Sequence, residues 1–145
     1  YPKFQDVTDQ GRYSFENNPS GFNYVISAEK DMNHANGVTT LDLLLIQSHI
    51  LELRELGSPY KIIAADVTND QIISAQDIVE ARRLVLGITE RFSNNQSWRF
   101  VDRDQDFISL GNPWPFTEVI DKINIADDLL MENFIGLKIK MFSHR

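Results

Sequence analysis

Cysteine is absent from this sequence of 145 residues, which excludes disulfides, thiolate metal sites and a cysteine nucleophile. No apolar run approaches the roughly 20 residues that a membrane-spanning helix needs. A basic surface for nucleic acid or anionic membrane is not expected, because 21 acidic residues outnumber 14 basic ones and the net charge is −7. An extracellular location is compatible with the lack of cysteine, since metal loops stabilise small folds in place of disulfides.

The sequence also lacks the common catalytic motifs. Its three histidines, His34, His49 and His144, do not form the His-x-x-x-His or Glu-x-x-His pattern of a catalytic zinc site. No nucleophile elbow, P-loop or Gly-rich dinucleotide motif is present. Neighbouring carboxylates such as Asp102 and Asp104 are interpreted as solvated turns. We therefore predict that the chain is not an enzyme.

An internal repeat with a period of 35 residues is present in the middle of the chain, because Asp31 aligns with Asp66 and Asp42 with Asp77 (66 − 31 = 77 − 42 = 35). Each unit reads as an Asp-rich loop followed by a helix. We predict these helices at about residues 40–55 and 75–86. The other matched pairs are Val38 and Ile73, Thr39 and Ser74, Leu43 and Ile78, Leu44 and Val79, Ile50 and Val85, and Leu51 and Leu86.

The second loop, residues 66–77, has the ligand spacing of a calcium site. Calcium takes six to eight oxygens, and a loop of 12 residues supplies them at positions 1, 3, 5, 7, 9 and 12, with a backbone carbonyl at position 7. Three carboxylates give this loop a suitable charge, and Ile73 at position 8 is expected to anchor it to the core. The predicted ligands of loop 2 are Asp66, Thr68, Asp70, the Ile72 carbonyl, Ser74 (direct or through water) and Asp77.

The first loop, residues 31–42, is a poorer version of the same site. Ala35 at position 5 offers no side-chain oxygen, and the glycine that relieves the turn is displaced by one residue, to Gly37. Asn36 or a water molecule is expected to supply the missing oxygen. With two carboxylates, loop 1 should bind calcium more weakly than loop 2, or not at all. The predicted ligands of loop 1 are Asp31, Asn33, Asn36, Gly37, Thr39 and Asp42.

A simpler interpretation is that both loops are surface turns whose aspartates cap the helices that follow. Two loops at one period, each with a β-branched residue at position 8, favour calcium instead.

Short β segments are predicted on both sides of the repeat. Apolar residues alternate with polar ones around Tyr13 and around Tyr24, and again at residues 98–101 and about 135–142. Two short strands do not make an independent sheet, so the first segment must pair elsewhere in the chain or with a neighbouring subunit. The predicted fold is α+β, with a β segment at 1–28, the loop–helix pair at 29–90 and an irregular or β segment at 91–145.

The repeat resembles a type I dockerin, in which paired loops of the form D-x-N-x-D-G-x-[VI]-x-x-x-D are each followed by a helix. Aspartate at position 12 fits dockerins better than calmodulin-like proteins, which carry glutamate there. The linker Ser58–Val67 and the stretches 95–102 and 112–116 resemble dockerin-like modules of surface and secreted proteins from Bacteroidota-type bacteria. Residues 6–15 look like the last hairpin of a carboxypeptidase-regulatory-like β-sandwich, which often precedes such modules.

The resemblance implies a non-enzymatic, extracellular or cell-surface module stabilised by calcium. Gln71 departs from the pattern, since dockerins have glycine there. Positions 10 and 11 are Thr40-Leu41 and Ala75-Gln76, unlike the matched polar pairs of cohesin-binding dockerins. One hypothesis is a structural module of a surface or fibre protein that assembles with copies or neighbouring modules by strand exchange. The alternative is a docking module that binds a cohesin-like receptor and tethers an enzyme or adhesin.

Overall fold

The computed structural model describes residues 3–129 and 132–140, and it confirms the predicted α+β class. Three helices lie between the first strand and three later strands. In chain order the elements are β1 (Phe22–Ser27), α1 (Thr40–Ile50), α2 (Pro59–Ala65), α3 (Ala75–Val85), β2 (Trp98–Asp102), β3 (Val119–Ile125) and β4 (Phe134–Lys138).

The strands form two separate antiparallel ribbons, β1 with β3 and β2 with β4. Ser27 pairs with Val119 in the first ribbon, and Trp98 pairs with Lys138 in the second. The flanking segments therefore close on one another, as predicted. Strand β3 was not predicted. The predicted terminal strand, about 135–142, is formed at Phe134–Lys138, and its last two positions lie outside the described residues.

Helices α1 and α3 begin where the repeat predicts, and they pack against each other. Helix α1 ends at Ile50, however, and not near residue 55. Glu52 adopts a left-handed φ of 56°, and the Ser48 carbonyl accepts hydrogen bonds from the Leu53 and Arg54 amides (2.9 and 3.2 Å). This turn stops the helix before Gly57 and Pro59 are reached.

The linker between the repeats forms a helix, α2, that was not predicted. Pro59 occupies its first turn, where the missing N–H costs nothing because that group has no helical partner. Its side chains Ile62 and Ala65 are buried against α1 residues such as Ile46. Burial, more than helix propensity, therefore stabilises this short element.

The predicted strand around Tyr13 is wrong. The turn at Asp9-Gln10-Gly11 is formed, since the Thr8 amide donates to the Arg12 carbonyl at 3.0 Å. No strand flanks this turn in the described residues, and β1 is the first strand. Tyr13 is held instead by its hydroxyl, which donates to the Glu132 carbonyl at 2.5 Å.

The core consists of two apolar clusters that lie beneath the two loops. Val38 and Ile73, at position 8 of each loop, pack against these clusters, which confirms the anchoring expected for Ile73. Trp114 also packs against the second cluster. The first cluster contains Leu43, Val67, Ala81, Leu84, Phe92 and Ile139, and the second contains Ile46, Leu56, Ile62 and Ala65.

Candidate metal centre

Asp77 is the fully buried centre of loop 2, with none of its surface exposed. Its Oδ1 accepts hydrogen bonds from the Thr68 amide (2.9 Å) and the Thr68 hydroxyl (3.0 Å). Its Oδ2 accepts a hydrogen bond from the Ser74 amide at 2.8 Å, at the start of α3. Positions 3, 9 and 12 of the loop are therefore in direct contact.

Asp66 closes the other side of loop 2 and is 3% exposed. Its two carboxylate oxygens accept hydrogen bonds from the Asp70 and Gln71 amides, each at 3.0 Å. The Asp70 carboxylate in turn accepts from the Ile72 amide at 3.0 Å. Gln71 has a φ of 67°, the left-handed conformation that favours glycine. The unusual residue at this position therefore keeps the backbone shape of the loop, at a conformational cost of roughly 1–2 kcal/mol.

Burial raises the pKa of both Asp66 and Asp77, although hydrogen bonds from backbone amides oppose the rise. Repulsion from Asp70 raises both pKa values further. Within residues 3–129 and 132–140, no basic side chain forms an ion pair with any of these three carboxylates. Two buried carboxylates beside the exposed one of Asp70 are stabilised when a cation binds between them.

The donor set of loop 2 therefore fits calcium, which prefers uncharged and carboxylate oxygens over nitrogen or sulfur. In the described ranges, no three His, Cys, Asp or Glu side chains converge in a geometry that would hold a metal. The aspartate oxygens accept backbone hydrogen bonds instead, as described above. The assignment of ligands in loop 2 consequently stays a prediction.

Loop 1 has the opposite electrostatic environment. The Arg91 guanidinium lies 2.6 Å from Asp31 Oδ2, and the Ser97 amide donates to Asp31 Oδ1 at 2.9 Å. The hydrogen bond from Ser97 is the main reason that the pKa of Asp31 is lowered, and His34 and Arg91 lower it further. His34 Nδ1 accepts a hydrogen bond from the Phe92 amide at 3.1 Å, and its Nε2 lies 2.8 Å from Asp31 Oδ1. Asp31 thus has partners from the protein itself.

Four of the five remaining predicted ligands of loop 1, all except Asn36, also contact other side chains or are contacted by them. Lys138 Nζ donates to the carbonyls of Asn33 (2.9 Å) and His34 (3.4 Å). The Asp42 carboxylate accepts from the amide and the hydroxyl of Thr39, at 2.6 and 2.9 Å. Gly37 lies against Lys140, since a methyl group there would be 2.5 Å from the Lys140 amine. Two lysines and an arginine therefore surround loop 1, and this arrangement does not fit a divalent cation.

A segment after α3 contacts both loops, and we call residues 91–99 the clasp. The Asn95 amide group donates to the Asp66 carbonyl at 2.8 Å in loop 2. Arg99 donates to Asn69 Oδ1 (2.5 Å) and to both carboxylate oxygens of Glu118 (2.6 and 2.7 Å). At the other end, Arg91 and Ser97 hold loop 1 as described above. Reasoning from single residues missed the clasp, although the resemblance of residues 95–102 to dockerin-like modules marked part of it.

Among the described residues, no helix has the length and the apolar composition that crossing a membrane requires. Comparison with curated proteins and with solved structures finds no match. The dockerin type I domain matches residues 29–106, which is 78 of the 145 residues (106 − 29 + 1 = 78). This range contains both loops, all three helices and the clasp. The chain therefore belongs to the dockerin type I domain family.

Proposed function

We propose that this chain is a non-enzymatic docking module that holds one calcium ion in loop 2 and binds a cohesin-like receptor outside the cell. Dockerin domains are docking modules without catalytic activity, bind calcium in general, bind cohesins and are typically extracellular or on the cell surface. The likeness of the linker and the clasp supports a parent protein of the surface or secreted class in Bacteroidota-type bacteria. One observation carries the docking role: two apolar positions are exposed in the first unit of the repeat, and the equivalent two positions are exposed in the second unit.

Loop 2 is proposed as the calcium site because its three carboxylates have no counter-charge from the protein. Asp66, Thr68, Asp70, Ser74, Asp77 and the Ile72 carbonyl would hold the ion. A calcium ion would supply positive charge to loop 2, in the way that the side chains of Arg91 and Lys138 supply it to loop 1. Loop 1 is therefore proposed to bind no calcium.

This assignment predicts a stoichiometry of one calcium ion per chain. Isothermal titration of the calcium-free protein with calcium should give a single site, at about 10⁻⁴–10⁻³ M if it resembles other extracellular modules. Asp66→Asn should abolish the heat of binding, whereas Asp31→Asn, at the equivalent position of loop 1, should leave it unchanged. A stoichiometry of two, or loss of binding in the Asp31 variant, would contradict the assignment.

The proposed docking surface is built from equivalent positions of α1 and α3 and of their C-terminal ends. Leu44 is 55% exposed and its repeat equivalent Val79 is 54% exposed, while Leu51 and Leu86 are 56% and 64% exposed. The residues that precede Leu44 and Val79, Leu43 and Ile78, pack in the core instead, so the exposed side chains are not part of it. Exposed apolar groups repeated on two packed helices are typical of a protein-binding surface. Calcium in loop 2 would stabilise the start of α3 and hence half of this surface.

The docking role is tested with the double variant Leu44→Asp/Val79→Asp. Its binding to a panel of immobilised type I cohesins in millimolar calcium should fall about 100-fold, because two central apolar contacts are replaced by charges. Ile108→Asp/Ile123→Asp is the matched control, since these two side chains are 106% and 79% exposed elsewhere. The proposal fails if no cohesin binds in calcium, or if both double variants bind equally.

A second candidate function is self-assembly with copies of the chain or with neighbouring modules. It is favoured by the two ribbons, because each of their strands has one edge without a partner strand among the residues that the structure describes. On the first ribbon Val25 is 66% exposed and Ile123 79% exposed, so an added strand would also cover apolar side chains. Such a contact would suit a structural module of a surface or fibre protein.

Self-assembly predicts that size-exclusion chromatography with light scattering detects dimers or larger species in millimolar calcium. Val25→Lys/Ile123→Lys should return the protein to a monomer, since charged side chains block edge-to-edge pairing. Leu44→Asp/Val79→Asp should leave the assembly intact. A chain that is monomeric at high concentration, both in calcium and in chelator, would exclude this candidate and leave the docking role standing.

A further inference from the structure

A cleft of about 420 Å³ beside loop 1 concentrates positive charge on an otherwise acidic protein. Lys30, Lys61, Lys138 and Lys140 line it, and none of the described residues in its lining is an aspartate or a glutamate. Acidic residues outnumber basic ones by 21 to 14 in the chain, so four lysines in the lining of one cleft are a local reversal of charge. Such a cleft attracts an anion, because neighbouring amines repel one another until a negative group lies between them.

Two of the four amines are held in place by the fold. Lys30 Nζ lies 4.9 Å from the centre of the Trp98 ring, a cation–π contact. Lys138 Nζ is held by the two carbonyls of loop 1 and is half-buried. Its desolvation, together with the charges of Lys140 and Lys30, lowers the pKa of Lys138 to about 8. A ligand that meets prepositioned amines loses less conformational entropy on binding.

The rest of the lining indicates what carries the anionic group. Tyr60 and Trp98 belong to the lining of the cleft, together with Asn33 and Asn36. Aromatic rings beside amide groups suit a ligand with an apolar ring face and hydroxyl groups at its edge. The volume falls within the range of small-molecule clefts, about 300–1,000 Å³.

We propose that this cleft binds an acidic sugar, with its carboxylate or sulfate between the lysines and its ring beside Tyr60 and Trp98. The site is separate from the exposed faces of α1 and α3 and does not require calcium in loop 2. A docking module with such a site would hold an anionic polysaccharide as well as its protein partner.

The test is a titration of the whole chain in calcium and low salt, followed by calorimetry and by the NMR signal of the Trp98 indole. Galacturonate is the probe, galactose is its uncharged control and sodium sulfate is the oxyanion without a ring. Galacturonate should bind most tightly and shift the Trp98 signal, while galactose should not bind. Lys61→Gln and, separately, Lys30→Gln should each weaken galacturonate about fivefold, the effect of one partly exposed charge contact.

Lys3→Gln is the matched control, because it removes the same charge from an exposed lysine outside the cleft. It should leave the affinity for galacturonate unchanged, and thermal unfolding should confirm that all three variants are folded. Sulfate that binds as tightly as galacturonate would overturn the sugar assignment, since the ring would then contribute nothing. Absence of galacturonate binding at millimolar concentration, or equal losses in Lys3→Gln and Lys61→Gln, would overturn the site itself.

Discussion

Replacing Asp77 by asparagine is expected to remove the whole calcium-dependent part of the stability. With free calcium 100-fold above the dissociation constant, binding to the folded state adds about 2.7 kcal/mol, which corresponds to about 5–10 °C in melting temperature. Asp77 is fully buried at position 12 and contacts both Thr68 and Ser74, so its carboxylate is central to the proposed site. Thermal unfolding in chelator and in about 10 mM calcium, which is 100-fold above a dissociation constant of about 10⁻⁴ M, measures the difference directly.

Asp42→Asn is the matched control, because Asp42 occupies the equivalent position of loop 1 and is 1% exposed. It also accepts hydrogen bonds from the residue before its helix. Both variants should lose some stability in chelator, since each weakens a capping box, an effect of about 0.5–2 kcal/mol. Calcium should still raise the melting temperature of the Asp42 variant by the wild-type amount. If it does not, the division of roles between the loops is wrong.

Truncation of Phe92 to alanine is expected to destabilise the fold by about 3–5 kcal/mol, the usual cost of removing a buried aromatic ring. Phe92 is 3% exposed and packs in one cluster with Leu43, Leu84 and Ile139, from both repeats and from the end of β4. Its ring also makes an edge contact with His34, at 5.2 Å between centroids. Chemical denaturation in calcium gives the free energy of unfolding.

Phe4→Ala provides the comparison, because the same ring is 92% exposed at that position. Its free energy of unfolding should change by less than about 0.5 kcal/mol. The Phe92 variant should in addition lose the protection of loop 1 amides from hydrogen exchange, as the clasp detaches from Asp31. A loss of stability below about 1 kcal/mol would show that the clasp is not part of the cooperative core.

The repeat was the most informative part of the sequence because its signal is local. Within each unit, the predicted ligands, the capping residue (Thr39 or Ser74) and the anchor at position 8 lie in one stretch of 12 residues. This pattern alone therefore placed both loops and the starts of both long helices. Helix α3 and strand β2 were predicted within one or two residues for the same reason.

The environment of loop 1 could not be predicted in this way. Arg91 and Lys138 reach Asp31 and Asn33 from 60 and 105 residues away in the chain. Nothing in the loop itself shows that these side chains approach it, because Ala35 at position 5 is equally compatible with a weak calcium site. Strand β3 was missed for a related reason. Asp121 and Asn124 interrupt its apolar pattern, and the strand conformation depends on pairing with β1, which is distant in the sequence.

The pairing of β1 with β3 has a consequence for the order of folding. Its nearest pair, Ser27 and Val119, are 92 residues apart in the chain (119 − 27 = 92), so the unfolded chain must close a long loop before this ribbon gains any contact. Helix α1, helix α3 and the two Asp-rich loops depend on much shorter separations and are therefore expected to form first. Once the helices and loops are packed, folded structure and not flexible chain connects β1 with β3. We therefore expect the β1–β3 ribbon to be the last element to form, and, if loop 2 holds calcium as proposed, the rate of this step should depend on calcium.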